Sequence, residues 1–231
     1  MKKKTPILIA IVLIILLCGG FAFSILYEKY SYSKERADLD EYFGLSGEDS
    51  VAIVLQDELL EDKALLRDGV YYLNLDTVHK FLNNRFYLDN SVESEALLIY
   101  TTTDTSYRTL QDSKTITSEK GQENSDFVLM LYENDTCYVA IDYVVRFTDM
   151  TYQVFTQPNR MQIYNEWPEK TVAEVKKNTQ VRYRGGVKSE ILTDVKKGAN
   201  VTVLEELDSW YKVKTEDAYI GYVQKRFVKN V

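Results

Sequence analysis

Histidine occurs once in this chain of 231 residues, at position 79, cysteine twice and proline three times. A single imidazole cannot supply the ligand set that copper favours, and with so few partners no Ser-His or Cys-His pair can be built. No glycine-rich loop with phosphate-cradling spacing is present. Cys18 lies in an uncharged apolar run and Cys137 in an alternating, strand-like segment, so one belongs in lipid and the other in a folded domain. They cannot pair, and an exported chain without a disulfide framework must rely on its hydrophobic cores. Cys137 reads as a small buried apolar residue. Residues 7–26 carry no charge at all.

That uncharged run follows Lys2, Lys3 and Lys4. Twenty apolar residues make a helix of roughly 30 Å, the thickness of a bilayer core. The lysines hold the start in the cytoplasm, which places the bulk of the chain outside the cell. A cleaved signal peptide is the alternative, with Ala22-Phe23-Ser24 as a small-x-small cleavage site and a secreted product. The run exceeds a usual signal core, which favours a retained single-pass signal-anchor over 1–26. Leu17 before Cys18 disfavours a lipoprotein.

Charge is divided along the chain. Residues 27–177 hold fifteen basic and twenty-eight acidic side chains, a net −13, whereas 178–231 hold ten and seven, a net +3. A basic terminal module on an acidic stem is drawn toward a polyanion while the stem is repelled. The acidic stem excludes nucleic acid as the main partner. Composition is that of a foldable chain, 45% hydrophobic and 27% charged, with room for two domains.

Residues 27–47 read as a stalk that continues the membrane helix to about residue 43, ending near Gly44 and Gly47. Within 48–165, residues 72–81 align without gaps with 138–147, with Tyr, Asp, Val and Phe identical. Each copy follows a turn, at 67–69 and 133–135. Each then predicts a short strand, a two-turn helix capped by Asp76 or Asp142, and two more strands. The strands are expected at 85–88 and 96–101, and at 151–155 and 160–164. Repeats of this length bury their apolar faces against each other. The polar stretch 102–126 reads as a long hairpin or mobile loop. This tandem strand-helix-strand pattern resembles the copper amine oxidase N-terminal-like domain of bacterial surface proteins. The resemblance implies a non-catalytic α+β spacer and brings no copper site. Residues 166–177, with Trp167-Pro168, are expected to be a linker.

The terminal stretch 178–231 predicts five short strands, at 179–184, 190–195, 200–205, 210–215 and 219–224, and hence a small barrel. Its Val181-Arg182, Lys197-Gly198, Val201-Thr202-Val203-Leu204, Trp210-Tyr211-Lys212-Val213 and Gly221-Tyr222-Val223 are similar to the bacterial SH3 domain. Ala218 stands where that family commonly has a turn glycine, and Tyr222 where it has tryptophan. The expected fold class is therefore α+β: a transmembrane helix, a duplicated spacer and an all-β SH3-like barrel.

Asp38-Leu39-Asp40-Glu41 superficially resembles a glycosidase acidic run, but a stalk provides no cleft to hold two carboxylates across a substrate. His79 aligns with Val145 and reads as a half-buried helix residue. No catalytic, metal or cofactor site is expected. The aromatics Tyr183, Trp210, Tyr211, Tyr219 and Tyr222 are the candidate groove for a peptide or glycan, with Arg182, Arg184 and Lys188 adding attraction to an anionic wall polymer. About half of these rings are needed for the core of so small a domain, and Trp210 and Tyr222 are expected to be partly exposed. The expected function is a non-enzymatic, membrane-anchored surface protein. Its module binds peptidoglycan, an associated polymer or a peptide, held off the membrane by the spacer. The alternative is the non-catalytic front, or a truncated relative, of a wall-active family-18 glycoside hydrolase, whose surface proteins begin with a similar order of domains. A third possibility is an envelope sensor or scaffold that binds protein.

Overall fold

The structure, a computed structural model, describes residues 4–89, 95–102 and 105–229. The uncharged run forms α1 (Lys4–Tyr30). From Val12 onward its side chains face outward, Phe21 being 71% exposed, and Val12–Tyr30 is long and apolar enough to cross a membrane. The helix stops at Tyr30, well short of residue 43. Alternating Tyr-Ser-Tyr-Ser at 30–33 favours extended backbone, and backbone groups from Ser33 onward bond elsewhere. α2 (Leu39–Phe43) follows. The Asp38 carboxylate accepts from the N–H groups of Asp40 and Glu41, and Gly44 closes the helix at φ +64°.

β1 (Ser50–Leu55), β2 (Glu58–Arg67) and β3 (Val70–Asn74) form an antiparallel meander. α3 (Leu75–Thr77) runs into a π-helical turn at Val78–Leu82. Its cap is the Asn74 side chain, two residues before the expected Asp76. β4 (Phe86–Asp89), β5 (Ala96–Thr102), β6 (Thr105–Leu110), β7 (Thr115–Ser118) and β8 (Gly121–Asn124) make a second, antiparallel sheet. The stretch expected as a long hairpin or loop thus supplies three strands, because β-branched threonines suit a half-exposed pleat. Residues 103 and 104 lie outside the described residues.

β9 (Met130–Glu133), β10 (Thr136–Ala140), α4 (Ile141–Phe147), β11 (Thr151–Phe155) and β12 (Arg160–Tyr164) complete the first sheet, in the order β11-β12-β1-β2-β3-β10-β9. β3 and β10 pair antiparallel, with Leu73 opposite Val139, Tyr72 opposite Ala140 and Asn74 opposite Tyr138. Leu73 and Val139, 66 positions apart, thus stand opposite each other, and Arg67 and Glu133, equally spaced, form an ion pair at 2.9 Å. His79 is exposed rather than half-buried. Its Nδ1 lies 3.1 Å from the Phe86 carbonyl and its ring packs edge-on to Tyr87.

The last sheet comprises β13 (Val172–Val175), β14 (Thr179–Arg182), β15 (Ile191–Val195), β16 (Asn200–Glu206), β17 (Trp210–Thr215), β18 (Ile220–Gln224) and β19 (Val228–Lys229), in the order β15-β14-β18-β17-β16-β13-β19. The expected linker contributes β13, whose Ala173 and Val175 are fully buried. Four residues are too short for alternation to betray a strand.

Two cores result. One gathers Ile53, Leu73, Phe86, Ile99, Met130 and Val144 between the first two sheets and the helices. The other, inside the last sheet, takes in Phe43 and Ala52 from far upstream. β1 is buried along most of its length because Val51 and Ile53 face one core and Ala52 the other. Two buried cations join the halves. Arg160 donates from Nε to the Asp217 carbonyl at 2.7 Å and lies over the Tyr219 ring at 4.4 Å. Lys214 bonds the Gln56 carbonyl and pairs with Asp57 at 2.6 Å.

The segment after α1 is also built into this assembly. The Tyr42 hydroxyl donates to the Ile220 carbonyl at 2.6 Å and accepts from its N–H at 3.1 Å. Burial pushes the Tyr42 phenol up to about 12, against the lowering effect of the bond to Ile220. Below pH ~10 the phenol is neutral in both states and its contribution is fully present. As pH rises from there toward 12 only the unfolded phenol ionises, so that contribution is lost. Tyr42→Phe is expected to cost about 1–3 kcal/mol at neutral pH and to make the alkaline decline shallower, as read from denaturant melts across pH 7–12.

Candidate functional site

β17 and β18 pair with Lys212 opposite Tyr222 and Trp210 opposite Gln224, so Trp210, Lys212, Tyr222 and Gln224 share one face of the hairpin. The loop leaving β14 folds over that face. Its turn is held by the Arg184 N–H donating to the Ser189 hydroxyl at 2.7 Å and the Ser189 N–H donating to the Gly186 carbonyl at 3.1 Å. A Cβ on Gly185 would lie 3.5 Å from both Trp210 Cγ and Tyr222 Cδ1, so the two rings are neighbours under the loop. Both rings are half-buried. Tyr183 is 42% exposed, packs edge-on to Tyr42 with centroids 5.6 Å apart, and carries the Arg184 guanidinium 5.5 Å above its ring.

Trp210 and Tyr222 thus form a pair of half-buried rings with polar edges on one face of the hairpin, and Tyr183 with Arg184 an exposed ring-and-cation site beside Tyr42; both are suited to stacking on a sugar or peptide, and the second to attracting anions. Lys188 is also exposed, and its ammonium donates to the Ser31 hydroxyl.

The other expected groove residues lie elsewhere. Tyr211 and Tyr219 point into the core, 9% and 5% exposed, because they occupy the inward positions of their hairpin. Tyr219 packs on Phe43 and on Arg160. Arg182 is 2% exposed under the segment that follows α1. Its guanidinium donates to the carbonyls of Ser189 at 2.5 Å and Ser33 at 3.0 Å, and to Gln180 Oε1 at 2.9 Å. Alternation along β14 would have placed Tyr183 opposite in sense to Arg182; what buries the arginine is a contact no local pattern reveals.

Tyr32 is the residue a reading of the chain misses. Its ring covers Arg182 at 5.2 Å and Arg226 at 5.8 Å. The only local hint is the two-residue period of Tyr30-Ser31-Tyr32-Ser33. Among the described residues no group of three His, Cys, Asp or Glu side chains is placed to hold a metal ion.

No curated protein matches the chain. Among solved structures, NlpC2 from Trichomonas vaginalis is similar at 9% identity over 59% of this chain and 35% of its own, with a TM-score of 0.25. NlpC1 from the same organism is similar at 9% identity over 63% and 40%, with a TM-score of 0.24. The chain spans well under half the length of either. Residues 177–229 match the family model of the bacterial SH3 domain, and the strands β14 to β19 that hold the ring surface are that domain.

Proposed function

We propose that this is a membrane-anchored protein, with its bulk outside the cytoplasm, whose SH3 domain binds the cell wall through Tyr183, Arg184, Trp210 and Tyr222. The carrying observation is a pair of partly exposed rings, Trp210 and Tyr222, and an exposed ring and cation, Tyr183 and Arg184, on a domain of the bacterial SH3 family. The apolar α1 serves as the anchor. The central unit serves as a non-catalytic body of two related strand-helix-strand halves, a reading supported by the pairing of Leu73 with Val139, 66 positions apart. A role without chemistry of its own is supported by the use of Asp38 as a helix cap and by the engagement of His79 with a backbone carbonyl.

The geometry changes how the domain is presented. Ser33 already bonds Val187, so the SH3 domain sits next to the end of α1, and the central unit does not stand between them as a spacer. The wall ligand would then be met near the membrane surface. Fragment 27–231 is expected to be retained by purified wall sacculi, and Trp210→Ala to weaken retention about 30-fold, the equivalent of ~2 kcal/mol for a stacking tryptophan. Equal retention of the two proteins in a co-sedimentation titration would reject the reading.

A further inference from the structure

Residues 32–37 lie along the open edge of the SH3 domain as an added strand. The Ser33 N–H donates to the Val187 carbonyl at 2.8 Å, the Ile191 N–H to Glu35 at 2.9 Å, and the Ala37 N–H to Ile191 at 3.0 Å. Arg36 and Ile191 form a parallel bridge, and the Arg36 guanidinium pairs with Asp194. These are the contacts of β-strand addition, in which the backbone supplies affinity and flanking side chains supply selectivity.

Two clefts open beside this strand. One, of about 510 Å³, extends past Gln180 and Val195 to Phe227; the other, of about 580 Å³, extends past Val187 and Ser209 to Arg226. Tyr32 is a wall of both, and it stands between them over Arg182. The oxygens bonded to the buried Arg182 are all neutral. One of them is the Ser33 main-chain carbonyl, which any extended peptide laid in the same register would replace.

We propose that residues 32–37 are a tethered ligand in a peptide-binding groove of the SH3 domain. Vacated, the groove takes an extended peptide with an aromatic residue in the place of Tyr32. The aromatic ring refills the space between the two clefts over Arg182, the main-chain carbonyl of the residue that follows it accepts from Arg182, and the peptide backbone replaces the added strand on Ile191. The groove adjoins the Trp210–Tyr222 face, since Arg182 pairs with Tyr222 and the Tyr32 hydroxyl bonds Gln224, so peptide uptake is read apart from wall retention.

The test uses the full-length protein in detergent and two labelled octapeptides: the chain's own residues 30–37, and the same peptide with alanine in place of tyrosine at the position of Tyr32. Wild type is expected to bind neither appreciably. The double variant Tyr32→Ala, Arg36→Ala, which keeps Phe43 and Tyr42 in place, is expected to bind the first roughly tenfold more tightly than the alanine form, as a ring over a desolvated guanidinium gives. Absence of binding to a variant that melts as a folded protein, equal affinity for the two peptides, or wild-type binding as strong as the variant's would each overturn the proposal. So would a variant that gains retention on wall sacculi but takes up neither peptide. If the double variant fails to fold, hydrogen exchange of the wild type decides. The amides of Ser33, Ala37 and Ile191 are expected to open at least tenfold more often than that of Val213 in the barrel core, and equal protection would mean that the segment is no separable ligand.

Discussion

Phe43→Ala is expected to unfold the SH3 domain, although residue 43 lies far outside the segment that matches the family. Phe43 is 1% exposed within that domain's core. Its ring stands edge-on to Tyr42 at 4.7 Å and tilted against Tyr219 at 5.4 Å, with the Arg160 guanidinium 5.7 Å from its centre. Removing a buried phenylalanine costs about 3–5 kcal/mol, made up of lost transfer energy and a cavity that the surroundings only partly close. A domain of this size has little stability to spare. The remaining Arg160 would also face a void on one side, where its desolvation is least tolerable. Denaturant melts followed by tryptophan fluorescence test this, since Trp210 reports the domain directly. The same packing predicts that fragment 177–231 alone does not fold, whereas 31–231 does. A Phe43→Ala protein melting within 1 kcal/mol of wild type would show that α2 merely touches the domain.

The SH3 strands were legible because each carries a dense local signal: a Lys-Gly turn at Lys197-Gly198, alternation through Val201 and Val203, and a Trp-x-Lys-Val strand. The same holds for β11 and β12, which lie at their expected positions. What escaped was everything set by distant partners. The segment from Ser31 to α2 has the polarity of a stalk, and only its docking on Ile191 and Ile220 makes it part of a barrel. The strands β6 to β8 escaped because runs of Thr and Ser have the composition of a loop, and the pairing that orders them lies on neighbouring strands. Of the proposed ring surface, Trp210 and Tyr222 could be placed by alternation on their hairpin. Arg182 could not, since the chain that covers it arrives from another part of the sequence. Ala218 stands in place of a turn glycine and takes the left-handed φ of +66° that the glycine would have taken, so the turn is kept at some backbone strain.

Gly221→Ala is expected to be the most disruptive single-methyl change in the domain. Gly221 sits in mid-strand β18, with ordinary extended backbone, so no turn requires a glycine there. The requirement is space. A Cβ built on it would lie 2.5 Å from the Arg182 carbonyl oxygen, 2.6 Å from Val181 Cγ1 and 2.8 Å from Leu192 Cδ1. The first of these is backbone and cannot rotate away, and the other two belong to fully packed core residues. Relief therefore means moving β14 away from β18, where the two strands are joined through the Arg182–Tyr222 pair. That shift would also pull Arg182 from Ser189 and Ser33, loosening the edge on which residues 32–37 lie. Overpacking a close-packed interior costs about 1–3 kcal/mol where side chains can adjust. Here the backbone must move, so the loss is expected at or above ~3 kcal/mol. Thermal melts should show a fall in midpoint larger than that of Tyr42→Phe, and hydrogen exchange should show lost protection at Arg182 and Ile191 with Val213 less affected. A variant with wild-type stability would mean that β14 and β18 stand farther apart in solution than this geometry places them.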